Sequence, residues 1–323
     1  MHTPSGKNLI GFLLSLNTAF LWGILPVAVK EIIVTMDAYT IVWYRFVVAL
    51  LIIGLYQGVR GQLPAILATG ARTYSLLVIA GIGLCGNYVL FALSLNFLNA
   101  ETTEAMIQLT TLFLLLGGVV IFREPFDRWQ RLGAVLIVVG LALFFNGRWS
   151  ELFAASSNMG LGVALVIAAS ITWVVYALLQ KKLLQQFNSA QILLFIYVLS
   201  ALILLPLAKP ATLLDLSAAQ TGLLLFCCLN TVLAYGSFAE AMVHWHASKV
   251  SAVLALAPLF TIAALKIIVQ INPAYSYSDH LNGLAVFAAV ILVLGSVMVA
   301  LVPLLPEWSL RSRQQQSGKS DVR

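Results

Sequence analysis

The chain has 323 residues, of which 61% are hydrophobic and only 9% charged, and its mean hydropathy is +0.98. A water-soluble domain carries roughly a quarter of its residues as Asp, Glu, Lys and Arg, so this composition excludes a soluble globular protein and makes lipid the main solvent. The formal net charge of +6 follows a membrane pattern described below and does not signal nucleic-acid binding.

A spanning helix needs about 20 mainly apolar residues, and ten stretches read as such. In chain order they are Leu9–Val29, Tyr39–Tyr56, Tyr74–Leu95, Thr102–Ile121, Trp129–Phe145, Met159–Leu179, Ala190–Leu207, Ala218–Met242, Val250–Val269 and Leu281–Val302. None alternates with the period of two that a barrel strand requires. Helices also satisfy every backbone group internally, as lipid demands. The first run is longer than the roughly 7–15 residues of a signal-peptide core, so it belongs to the mature protein. The breaks between runs are short and carry Gly, Pro, Asn or charge. The longest interior one, Asn146–Asn158, joins two halves. The tail from Glu307 to Arg323 is polar and reads as disordered. Cys85, Cys227 and Cys228 all lie inside apolar runs and read as small packing residues, not as a disulfide framework or metal knuckle.

Lysine and arginine placement sets the orientation. With the N-terminus inside, Lys7, Arg60, Arg72, Arg123, Arg128, Arg131, Lys181, Lys182, Lys249 and the basic tail residues fall on the inner side. Only Lys30, Arg148 and Lys209 fall outside. Both termini are therefore expected in the cytoplasm. The two halves also repeat. Tyr88 aligns with Tyr235, Phe91 with Phe238, Leu112 with Leu259 and Phe113 with Phe260. Trp22 and Lys30 align with Trp173 and Lys181, and, after a three-residue insertion, Gly133 aligns with Gly283. Five helices per half is an odd number, so the second half enters from the opposite side, the inverted-topology plan of many secondary transporters. The expected organisation is an all-α integral membrane protein with one five-helix repeat over 1–150, a second over 151–306, and a tail over 307–323.

The residues that carry these patterns resemble the EamA-type family of the drug/metabolite transporter superfamily. They are Leu21-Trp22-Gly23 with Lys30 in the first run, Tyr44-Arg45-Phe46 in the second, and Arg123-Glu124-Pro125 ahead of Gly133 and Gly140 between the fourth and fifth. The resemblance covers about residues 9–302. It implies a multi-pass protein of a bacterial inner membrane, with a central cavity lined by the first, third, fourth, sixth, eighth and ninth helices. It further implies a proton- or gradient-coupled carrier of amino acids, metabolites or drugs, often an exporter. The second copy departs from the pattern: Ile271 falls where the turn glutamate stands, and Asn272–His280 forms a longer outer loop.

Polar side chains are costly in a bilayer and mark candidate pathways. The fourth run carries Glu101, Glu104, Gln108 and Thr111 on one helical face. Asn87 on the third run and Asn230, Ser237 and Glu240 on the eighth are further candidates. Trp22, Trp173 and Tyr176 supply aromatic faces for a solute or for helix contacts. Each polar group has a plain alternative, a bond to its own helix or to a neighbour. Glu104, Glu240, Arg45 and Lys266 are the candidate proton or ion-pair residues, and the charge signs allow Arg45 or Lys266 to pair with Glu104. His244-Trp245-His246 is not a metal site, since residues two apart face different ways. The glycines Gly117, Gly133, Gly140, Gly283 and Gly295 read as helix-packing positions. Neither a cofactor nor a catalytic nucleophile–base pair is expected. The expected partners are a small solute and the lipid bilayer, with no nucleic acid and with a homodimer allowed. The function expected is a solute transporter. The competing classes are a membrane enzyme, for which the loops are too short, and a non-transporting scaffold or assembly protein, which would not need the polar stripe.

Overall fold

The computed structural model describes residues 7–62, 70–122, 126–154, 157–245 and 247–301. The Arg123-Glu124-Pro125 turn, His246 and the tail lie outside the described residues. The described chain is all helical. Its helices are α1 (Asn8–Ile32), α2 (Ala38–Val59), α3 (Ala71–Ser94), α4 (Ala100–Met106), α5 (Leu109–Phe122), α6 (Arg128–Phe144), α7 (Trp149–Phe153), α8 (Met159–Leu183), α9 (Ser189–Leu204), α10 (Ala218–His244), α11 (Ala247–Leu254), α12 (Ala257–Ile271) and α13 (Gly283–Leu301).

Among the described residues, eight helical segments are long and apolar enough to cross a membrane, and Ser189–Leu204 is apolar but shorter. The two expected spans outside those eight are α6, of 17 residues, and α9, of 16. Both extend about 25 Å at 1.5 Å per residue. Local chemistry sets their ends. Asp127 and Gln130 form a capping box that starts α6, and Asn188 and Gln191 do the same for α9. Such reciprocal bonds satisfy amides that a helix start leaves free. α9 ends at Leu204, short of the expected Leu207, where Pro206 has no amide hydrogen to carry the ladder on. Exposed Leu51, Leu55, Leu202, Leu225 and Phe287 face outward, where lipid replaces water.

Two expected runs are each broken in the middle, contrary to the sequence reading of continuous spans. The fourth divides into α4 and α5 at Ile107-Gln108, where Gln108, Thr110 and Thr111 make i→i+3 backbone bonds of 3.3, 2.9 and 3.0 Å. The ninth divides into α11 and α12 at Ala255-Leu256, just ahead of Pro258. Proline has no amide hydrogen, and its ring clashes with the carbonyl four residues back, which accounts for the second break. The first contains no proline and is held by side-chain bonds described below. The Asn146–Asn158 linker, expected to be a loop, contains the short helix α7.

Helices pack most closely where side chains vanish. A Cβ placed on Gly133 would meet the Gly295 carbonyl at 2.7 Å, and one on Gly295 would meet the Gly133 carbonyl at 2.7 Å, so α6 and α13 touch backbone to backbone. Nothing lies within 4 Å of a Cβ placed on Gly283, which is therefore not a packing glycine. Elsewhere in the bundle, α1 packs against α10 and α12, and α3 packs against α8.

Candidate functional site

The two helix breaks meet at the wall of a cavity of about 230 Å³. All six runs expected to line a cavity contribute. α1 gives Trp22 and Leu25, α3 gives Asn87, Tyr88 and Phe91, and the α4–α5 break gives Glu104, Ile107, Gln108, Thr110 and Thr111. α8 gives Trp173, α10 gives Tyr235 and Phe238, and the α11–α12 break gives Ser251, Leu254, Ala255 and Ala257. α2 adds Arg45. The lining is mainly aromatic and aliphatic with a few placed polar groups, the usual make-up of a small-molecule site.

Gln108 ties the two breaks together. Its Nε2 donates to the Ala255 carbonyl at 3.1 Å across a separation of 147 residues, and its Oε1 accepts from Ser296 Oγ at 3.3 Å. The same separation relates Tyr88 to Tyr235, whose rings stack 6.5 Å apart, and relates Phe91 to Phe238, both in the cavity lining. Trp22 packs on Tyr235 at 5.5 Å and on Phe238 at 6.0 Å. Asn87 donates through Nδ2 to the Ala169 carbonyl at 3.0 Å.

Arg45 is held from two directions. Its Nε donates to Thr231 Oγ1 at 3.1 Å, and its guanidinium lies 4.4 Å from the centre of the Tyr88 ring, a cation–π contact. Glu104 is 5% exposed and has no hydrogen-bond or ion-pair partner among the described residues. The expected pairing of Glu104 with Arg45 or Lys266 is therefore absent. Lys266 sits on an exposed position of α12, away from the cavity lining.

The model of the EamA-like transporter family matches residues 9–146 and again residues 160–301. The chain belongs to the EamA-like transporter family. An uncharacterized transporter of Haemophilus influenzae is 37% identical over 294 residues, covering 91% of this chain and 95% of the relative. The uncharacterized inner membrane transporter YhbE of Escherichia coli K12 is 37% identical over 293 residues, 90% of this chain and 91% of the relative. A solved crystal structure only 15% identical superposes with a TM-score of 0.62, covering 90% of this chain and 98% of its own, which speaks for the fold alone. The protein is thus a multi-pass membrane transporter.

In this EamA-like transporter several polar candidates serve helix contacts away from the cavity lining. Asn230 is 1% exposed and donates through Nδ2 to the Leu21 carbonyl at 2.6 Å, joining α10 to α1. Ser237 accepts from Asn17 Nδ2 at 2.9 Å in the same seam. Tyr176 is fully buried and packs where a Cβ on Gly83 would strike its backbone. Glu240 is exposed and lies 3.3 Å from His244 one turn on. Lys30, on the motif of the first run, donates to the Leu95 and Leu98 carbonyls at 2.6 and 2.9 Å.

One polar cluster escaped the sequence reading. The α12–α13 loop folds onto the start of α4, where the Thr102 amide and hydroxyl and Asn99 Nδ2 all donate to the Asp279 carboxylate. Arg148 lies 3.4 Å from the same carboxylate. Glu101 accepts from Ser278 Oγ at 2.7 Å and from the Asp279 amide. Glu101, read as part of a pathway stripe, is thus a clasp residue. Tyr88, Tyr235, Phe91 and Phe238 were visible as repeat matches but not as lining. Their signal was the matching itself, because repeat-related residues meet where the two halves face each other.

Proposed function

We propose that this membrane protein is a secondary transporter. It exports a small metabolite, amino acid or drug across a bacterial inner membrane, driven by a proton or solute gradient. In this reading ten helices form two inverted-topology repeats, over 1–150 and 151–306, with both termini in the cytoplasm. The cavity opens to one side and then to the other. A solute enters between the aromatic walls, and rocking of one repeat against the other moves the opening.

The observation that carries the proposal is the meeting of two broken helices at Gln108 and Ala255. Discontinuous helices that face each other at the repeat interface are the recurrent construction of transporter sites. The breaks begin after helices of 7 and 8 residues, counting from Ala100 and from Ala247, or about 11–12 Å. Two helices entering from opposite sides would reach each other there near the centre of a roughly 30 Å apolar layer. The repeated family match over each half supports the duplication, and the name of the Escherichia coli relative supports the inner membrane. The cavity volume of about 230 Å³ falls below the roughly 300–1,000 Å³ of drug-sized sites, which favours a metabolite-sized solute.

An export and uptake screen tests this. A deletion strain, with and without the protein, is loaded with amino acids, nucleosides and cationic drugs, and retention of each is followed. Faster efflux of at least one solute with the protein present is expected. Identical retention of every solute, with the protein correctly inserted, would contradict the proposal.

A further inference from the structure

The clasp at Asp279 joins the two halves of the chain at the end of the bundle where α4 begins. Asn99, Glu101 and Thr102 belong to the first half, and Ser278 and Asp279 to the second. Arg148, from the linker between the halves, donates to Thr102 Oγ1 at 3.2 Å and lies 3.4 Å from the Asp279 carboxylate, so one guanidinium touches both partners of the central contact. The groups at its centre are out of water. Thr102 is fully buried, Glu101 is 3% exposed and the Asp279 side chain is 5% exposed. Hydrogen bonds to a charged group in such a place are among the stronger ones.

The rest of the α12–α13 loop is seated over the same end. Tyr275 packs on Val27, Ala100 and Leu265, the Tyr277 ring lies 5.6 Å from Lys30 Nζ, and Asn282 and Asn146 exchange amide bonds of 2.9 and 3.4 Å. His280, next to Asp279, holds a backbone φ of +45°. A residue with a side chain seldom adopts that conformation and keeps it only while its neighbours hold it. The clasp is also one-sided. Glu101 and Thr102 align, at the 147-residue separation of the repeat, with Ser248 and Lys249, and the α12–α13 loop carries the three residues by which the second copy exceeds the first. The matching helix start at the other end of the bundle therefore has no carboxylate to hold.

We propose that this clasp is a latch that shuts the outer end of the cavity and biases the empty carrier to face the cytoplasm, where an exporter takes up its cargo. This rests on the transporter reading and topology above and adds which way the resting protein faces. The helix that the latch grips, α4, leads within about two turns from Glu101 to Glu104 and Gln108 in the cavity wall. Rocking one repeat against the other to open the outer end must part Asp279 from Thr102 and Arg148. Two facing states built from a symmetric repeat would be equal in energy, and a contact made in only one of them sets their populations apart.

The test reads the latch through a reporter in the cavity, Thr111→Cys, in full-length protein lacking Cys85, Cys227 and Cys228. An impermeant thiol reagent is applied without added solute to right-side-out and to inside-out vesicles, and the labelling rate from each side is followed. Asp279→Ala should raise the rate from the outside about tenfold, the factor that loss of one charge-assisted hydrogen bond gives, while the rate from the inside stays level or falls. Arg148→Gln and Ser278→Ala keep the Asp279 carboxylate and should raise the outside rate by less, and they carry the test if Asp279→Ala does not insert. A role in folding alone would raise both rates together, and that result overturns the proposal. So do rates, from both sides, that none of the three changes alters, a result that leaves the transporter reading standing. Labelling from one side only in every variant would sink the transporter reading and the latch with it.

Discussion

Replacing Gln108 with leucine is the most informative single change. Leucine keeps similar bulk and is favoured in lipid, so insertion is expected to be normal. The substitution removes the bond to the Ala255 carbonyl and the one from Ser296. The loss at Ala255 is the more serious. That carbonyl sits in the gap between α11 and α12 and accepts no backbone amide among the described residues, so Gln108 is its partner. At about 0.5–1.5 kcal/mol net per hydrogen bond, the two losses weaken the junction of the breaks by about 1–3 kcal/mol. A factor of ten corresponds to about 1.4 kcal/mol, so transport should fall by a factor of about 5 to 140. Ser296→Ala removes one of the two bonds and should cost less. Added to Gln108→Leu it should cost almost nothing more, since residues in one network are not additive. The assay is initial transport rate in vesicles normalised to inserted protein, alongside the melting temperature in detergent. Wild-type rates and an unchanged melting temperature from correctly inserted Gln108→Leu protein would refute the reasoning.

Other substitutions follow from the same geometry. Gly133→Leu should prevent α6 and α13 from closing and lower the yield of folded protein, whereas Gly283→Ala, with nothing within 4 Å of the added carbon, should leave the melting temperature within a few degrees of wild type. Equal effects of the two would refute the backbone contact. Single cysteines at Ser276 and Ser317, in a background without native cysteines, should react with an impermeant reagent from opposite sides of the membrane. Same-side labelling would refute the inverted repeat. Glu104→Gln should abolish the pH dependence of transport while some solute exchange remains. Glu240→Gln, altering an exposed residue beside His244, should preserve that dependence. Unchanged pH dependence in both would remove these carboxylates from the coupling.

The helical runs were legible because lipid imposes a length and a composition that few other structures share. The interruptions were legible only in part. Pro258 advertised the break between α11 and α12 by its missing amide, but no glycine or proline marks the break at Gln108. That break depends on Ala255 and Ser296, which lie 147 and 188 residues away. The polar stripe of the fourth run was read as one face, and its members divide: Glu104, Gln108 and Thr111 line the cavity, while Glu101 turns to the loop at Ser278. Asn87 and Asn230 looked equivalent in sequence. One lines the cavity and the other bonds the Leu21 carbonyl of a neighbouring helix, because the rotation of a helix within a bundle is set by packing that no single run encodes. The clasp at Asp279 was illegible for the same reason, since its partners come from three separate parts of the chain.

The central claim is that the cavity between the two breaks is reached alternately from both sides of the membrane. A single cysteine at Thr111, in the cavity lining, measures this directly in a background lacking Cys85, Cys227 and Cys228. Impermeant thiol reagent is applied to right-side-out and to inside-out vesicles. The account predicts labelling from both sides, slowed in each case by a transported solute, with Ser276→Cys labelled from one side only. Labelling of Thr111→Cys from one side alone, or from neither, would contradict it.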